Sequence, residues 1–101
     1  MSTLTLFVCS ALTAVSAEPQ PVSFRYQVRP ILSDRCFACH GPYAGNRKGK
    51  LRLDLRAEAL KKRAFVPGEP DTSELVKRIV TSNDDDLMPP RDSHKQLSAH
   101  Q

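Results

Sequence analysis

Cys36-Phe37-Ala38-Cys39-His40 constrains this chain more than any other stretch: two thiols three residues apart, an imidazole directly after the second, and only one other cysteine in the sequence. Two intervening residues in a helical turn hold the sulfurs at a set separation and bring the imidazole beside them. The chain has 101 residues, enough for one small domain, and a domain of that size buries a modest share of its surface when it folds. Such domains complete a thin core with disulfides, a metal or a cofactor. The cysteines are therefore expected to matter to the fold itself.

The redox compartment decides how the pair can be used. Residues 1–17, MSTLTLFVCSALTAVSA, carry no charge and end in Val15-Ser16-Ala17, a small-x-small pattern of the signal-peptidase kind. This predicts a signal peptide over 1–17 and a domain over 18–101, exported to the periplasm or cell envelope. The leader lacks the basic residue that normally opens such a segment. Its apolar run is too short to span a bilayer comfortably, and the Glu18-Pro19-Gln20-Pro21 that follows does not extend it. No stable membrane insertion is expected. Cleavage after Ala17 removes Cys9. A lipoprotein reading of Cys9 is weakened by Val8, which is not a small residue. In an exported chain the remaining pair is either a small redox loop or a covalent attachment point.

Charge is segregated along the rest of the chain. Eight basic residues lie between Arg47 and Arg63 against Asp54 and Glu58, and six acids lie between Glu69 and Asp86 against Lys77 and Arg78. Faces of opposite sign can steer a charged partner, although the simpler reading is a solvated surface. No nucleic-acid partner is expected: the basic stretch holds no interleaved aromatics and no reader motif occurs.

Phe24, Val28, Ile31, Leu32 and Phe37 fall on one face of a helix. Pro30 interrupts it, predicting a kinked helix from near Ser23 or two short pieces. The segment delivers Cys36 to Cys39 at a helix end, and Gly41-Pro42 stops it. Residues 41–53 read as an irregular loop. Asp54 is expected to cap a short helix carrying Leu55, Ala59 and Leu60. Asp71 and Glu74 have capping-box spacing before the apolar stripe Leu75, Val76, Ile79 and Val80. Asn83 to Asp86 reads as a turn, and Leu87-Met88-Pro89-Pro90 as an extended stretch. Ser98 and Gln101 have the spacing that opens a further helix, which predicts an N-terminal piece of a longer protein or a truncated reading frame. No alternating apolar pattern suggests strands. The fold class expected is all-α.

C-x-x-C-H is the attachment motif for c-type haem. Each thiol adds across one haem vinyl group to give a thioether, and the histidine supplies the proximal axial ligand to iron. Two other uses of the pair stay open. A thioredoxin-like loop calls for a strand before it and a helix after it, the reverse of the order here. A zinc site needs two more ligands, and His94 and His100 lie some fifty residues on, outside usual finger spacing. A structural zinc or disulfide module at the head of a larger exported protein is the alternative. For the sixth iron position the candidates are Met88, held in a rigid Pro-flanked segment, His94, or no ligand. Methionine there favours ferrous iron and raises the potential.

The order of VRPILSDRCFACHGP, KLRLD, VPGEPDTSELVKRI, LMPP and LSAHQ resembles the cytochrome c-like domain that begins many large, exported planctomycete proteins. The resemblance covers roughly residues 22–101. It implies a class I cytochrome c fold around haem c, with Cys36, Cys39 and His40 holding the haem and Met88 capping the iron, so that the metal ligands are His40 and Met88. It also implies that LSAHQ begins a C-terminal helix that packs on the N-terminal one, with large domains following. The activity expected is one-electron transfer to or from a redox partner protein or a fused domain, without bond-making chemistry by side chains. The candidate apolar wall is Phe37, Leu51, Leu53, Leu55, Leu75, Ile79 and Leu87, a list that ordinary core packing also predicts, and the cationic loop from Arg47 to Arg52 reads equally as a partner for the haem propionates or as solvated surface.

Overall fold

A computed structural model describes residues 8–15 and 20–101. The predicted leader at 1–17 lies in part outside the described residues, including its cleavage position at Ala17. Residues 8–15 form no regular element, and Cys9 is exposed. No described helix is long and apolar enough to cross a membrane. All regular elements among the described residues are helical, in line with the all-α expectation.

The N-terminal helix comes in two pieces, and Pro30 explains why. A wide π-type turn runs over Phe24–Val28, followed by α1 at Arg29–Arg35. Proline has no N–H and its ring crowds the carbonyl four residues back, so the turn before it widens. The Val28 N–H reaches Ser23 O at 3.3 Å, and the Arg29 N–H bonds Phe24 O, both five residues back. Ser23 starts the turn by accepting the Tyr26 N–H at 3.2 Å.

Cys36 breaks the helix with φ −124° and opens α2, the single turn Phe37–His40. The Cys36 carbonyl accepts the N–H groups of Cys39 and His40 at 3.2 and 2.8 Å. Gly41 ends the turn because only glycine fits: a Cβ there would overlap the Phe37 carbonyl oxygen. The chain then loops through a 3₁₀ turn at Ala44–Asn46 and returns along the end of α2.

Two expected caps find other partners. Asp54 does not cap α3, Arg56–Lys61; it pairs instead with Arg52 through two hydrogen bonds of 3.1 and 2.6 Å. A bidentate bond to a guanidinium outcompetes one to an N–H dipole. The Asp71–Glu74 capping box is also not formed. Asp71 lies in a 3₁₀ turn, Pro70–Thr72, and Ser73 is the N-cap of α4, Glu74–Val80. Glu74 instead pairs with Arg78 one turn on, at 2.9 Å. The Ser73 hydroxyl, 3% exposed, accepts the Val66 N–H at 2.8 Å and lies 2.9 Å from Glu69 O, tying the preceding loop to α4.

Packing is unusual for the chain's apolar content. Among the described residues the buried hydrophobic side chains are Ala59 and Ala64, and no large side chain is fully buried. The bulky residues of α1 and α4 face a shared cavity instead. Gly41→Ala is expected to lower stability by roughly 1–3 kcal/mol, the usual cost of forcing atoms into a packed position. A urea titration reads this as a lower midpoint with unchanged slope; an unchanged midpoint would show that the turn yields without strain.

Candidate functional site

The cavity holds about 490 Å³, within the roughly 300–1,000 Å³ range of ligand and cofactor sites. Cys36, Cys39, His40 and Met88 all line it. Val28, Ile31 and Leu32 of the N-terminal helical segment, Leu51 and Leu53 of the returning loop, and Leu75 and Ile79 of α4 supply the apolar wall. Sequence reasoning placed Leu51, Leu53, Leu75 and Ile79 there. It also placed Phe37, Leu55 and Leu87, which the structure puts elsewhere. The Phe37 ring lies under the Arg29 guanidinium at 5.7 Å, Leu55 is 43% exposed, and Leu87 lines a smaller neighbouring pocket.

His40 is oriented by the returning loop. Its Nδ1 lies 3.1 Å from the Lys48 carbonyl. A carbonyl can only accept, so Nδ1 carries the proton and Nε2 keeps its lone pair, the arrangement of a metal-ligating histidine with an outer partner. Burial pushes the imidazole below its usual value, partly offset by the Lys48 bond, and so favours the neutral form that ligation requires. The same loop satisfies the carbonyls at the end of α2. The Lys48 N–H donates to Cys39 O at 2.7 Å, and the Leu53 N–H to His40 O at 2.8 Å. Arg47 donates to Gly41 O and Pro42 O at 3.0 and 3.1 Å.

Cys36 and Cys39 are free thiols, both half-buried on the one turn. Burial, and then the Cys39 charge, raise the Cys36 thiol above its ordinary value, so it stands protonated. Met88 is half-buried, and its N–H donates to Arg78 O at 3.0 Å, which joins the segment to the last turn of α4. Arg91 Nε bonds Asp84 at 2.7 Å and closes the loop that carries the methionine. His94 takes a different place: it ends the 3₁₀ turn Arg91–Ser93 in a left-handed conformation, with its side chain exposed and outside the cavity wall. His100 is exposed as well.

Two thiols on one turn, an imidazole with an open nitrogen and a thioether, gathered on one apolar cavity, fit a covalently attached haem. They are gathered in a domain whose regular elements, among the described residues, are all helical. The chain belongs to the planctomycete cytochrome C family, whose model matches residues 36–92. No curated protein and no solved structure matches it.

Sequence reasoning missed the cations on the cavity wall, Arg35, Lys62, Arg63, Arg78 and Lys95. Arg35 and Arg78 read as ordinary last-turn cations complementing the helix dipole, and Lys62 and Arg63 belong to the basic run between Arg47 and Arg63, so the sequence did not mark which cations face the cavity. In the cationic loop two of the cations have partners within the chain. Arg47 holds backbone carbonyls and Arg52 holds Asp54.

That last pair yields a pH dependence. The Arg52 hydrogen bonds hold the Asp54 carboxyl below the usual range, so the folded chain binds this proton less tightly than the unfolded one. The stabilisation is fully present above the ordinary aspartate value of about 3.9 and is lost as pH falls through the lowered value. Asp54→Asn is expected to flatten this acid limb in urea midpoints measured across an acidic series; an acid limb of the same steepness would assign it to other carboxylates.

Proposed function

We propose that residues 18–101 form an electron-carrier domain of class I cytochrome c type, exported behind the leader at 1–17. Haem c is attached through Cys36 and Cys39, and its iron is ligated by His40 and Met88. The observation that carries this reading is the convergence of these four side chains on one cavity with apolar walls. The family match supports haem binding and electron transfer as the general activity.

Haem c, when bound, supplies a one-electron ferric–ferrous couple. The chain's own residues hold, orient and shield it. Cys36 and Cys39 stand one helical turn apart as the attachment points. The Lys48 carbonyl fixes the His40 tautomer that leaves Nε2 free. The Arg78 carbonyl and the Asp84–Arg91 pair restrain the segment that carries Met88. Leu51, Leu53, Leu75 and Ile79 keep water from the site and so tune its potential. With His40 and Met88 both holding the iron, no position would be left for a substrate, which favours a carrier over a catalyst. Its partner is a redox protein, docked or fused.

A zinc module finds less support. Among the described residues no three His, Cys, Asp or Glu side chains group as a metal site.

The test is expression of the full chain with a c-type haem maturation system, followed by denaturation. Red colour is expected to stay with the polypeptide and to fall to background in the Cys36→Ala, Cys39→Ala double variant. A folded, colourless product would contradict the reading. In the loaded chain, Met88→Ala is expected to turn the ferric spectrum from low-spin to high-spin. It should also lower the midpoint potential by roughly 0.1 V or more, within the ~0.8 V span that axial ligands command. An unaltered spectrum would remove Met88 as ligand.

A further inference from the structure

We propose that Arg35, with Lys95 beside it, anchors one of the two haem carboxylates and is a cofactor-binding residue in its own right. This rests on the haem reading above. Arg35 closes α1, directly precedes Cys36 and lines the cavity, with its side chain 29% exposed. Its Nε is buried without a hydrogen-bond partner, the one such side-chain atom found among the described residues. Asp34 Oδ2 lies 3.1 Å from it, yet the N–H is not directed at that oxygen, and the Asp34 side chain is 66% exposed. The adjacent carboxylate therefore stays largely in water. The Nε is thus closed off from water, while Arg35 as a residue lines the cavity, where an anionic group would meet its charge.

Lys95 brings a second cation to the same place. Its Nζ donates to the Asp34 carbonyl at 3.3 Å, and its side chain also lines the cavity. The other cationic candidates are differently placed. Arg78 is held by Glu74 at 2.9 Å and lies 3.6 Å from Asp86, while Arg47 and Arg52 bind backbone and Asp54. Lys62 and Arg63 are exposed at the end of α3. Glu74, the one carboxylate on the wall, is already paired with Arg78. A carboxylate within the cavity thus meets Arg35 as its best-matched partner, because the guanidinium fork binds carboxylates through paired hydrogen bonds. Arg35 and Lys95 both fall outside residues 36–92, so the family match assigns neither.

The test is a cycle between protein and ligand. In the full chain carrying Cys36→Ala and Cys39→Ala, so that binding is reversible, the affinity for ferric protoporphyrin is compared with that for its dimethyl ester. Arg35, Arg35→Leu and Arg35→Lys backgrounds are measured in parallel. The ratio of the two affinities cancels any general loss of folding, since both ligands meet the same protein. The diacid is expected to bind about tenfold or more tightly than the ester with Arg35 present, the size of a charge-assisted bond. That preference should collapse in Arg35→Leu, return in part in Arg35→Lys, and fall by a smaller factor in Lys95→Leu. An unchanged ratio in Arg35→Leu overturns the assignment. If the cysteine-free chain takes up neither porphyrin, the covalently loaded full chain decides, through carbodiimide amidation of the haem carboxylates read as mass added to the haem peptide. Amidation several-fold faster in Arg35→Leu than in the parent, and slowed again in Arg35→Lys, supports the anchor; equal rates overturn it. The haem reading stands or falls separately, on colour retained after denaturation.

Discussion

The hydrogen bonds that close over the end of α2 are the constraint on which the site depends. A single helical turn of four residues has no cooperative stability of its own, and its last carbonyls lack partners within the helix. Here the carbonyls of Cys39, His40, Gly41 and Pro42 are met by Lys48 N, Leu53 N and the Arg47 side chain. The loop that supplies these donors also turns the Lys48 carbonyl toward His40 Nδ1. One stretch of chain therefore secures the turn that carries both thiols and sets the protonation of the imidazole. Gly41 makes the arrangement possible, since the turn ends so tightly against the Phe37 carbonyl that no side chain fits.

The second constraint is volume. Leu32, Leu51, Leu53, Leu75 and Ile79 turn toward a common cavity rather than interlocking with one another. Protein interiors are ordinarily packed to the density of organic crystals, and short chains have the fewest side chains with which to achieve it. A planar, largely apolar cofactor held in this cavity would give those leucines a shared contact surface. The attachment turn and the apolar wall then serve the fold as much as the chemistry. The thiols sit at the junction between the N-terminal helix and the loop that returns along the end of α2.

Much of this was legible in the sequence because it is local. Pro30 announces a broken helix, and the structure replaces the break with a widened π-type turn. Gly41-Pro42 announces a stop, and the close approach to Phe37 explains it. The Ser98–Gln101 spacing is realised in part: Gln101 Oε1 accepts the Ser98 N–H at 2.9 Å, the reciprocal half of a capping box. Readings failed where a polar residue had to choose between partners. Asp54 and Glu74 both had capping geometry in the sequence, and both took an arginine instead. The placement of Leu55 and Leu87 failed for a related reason. Apolar spacing identifies a face but not what that face meets: Leu87 lines the smaller neighbouring pocket and Leu55 is exposed.

Charge shows the same competition on a larger scale. In the sequence the cations and anions form opposed runs, which suggests two faces of opposite sign. In the structure several of these groups are spent within their own neighbourhoods: Arg52 on Asp54, Arg78 on Glu74 and Asp86, and Arg91 on Asp84. Pairs exposed to water add little to stability, but each one fixes the direction of a side chain. Arg78 is a case in point, because its backbone carbonyl receives the Met88 N–H while its guanidinium holds Glu74. Pairing along α4 at the cavity wall thereby steadies the residue from which the methionine segment hangs. Arg35 differs in that its Nε is buried and not hydrogen-bonded, although Asp34 Oδ2 lies 3.1 Å away. A run of charge in the sequence cannot reveal that difference; it arises only when folding buries a donor without aligning an acceptor to it.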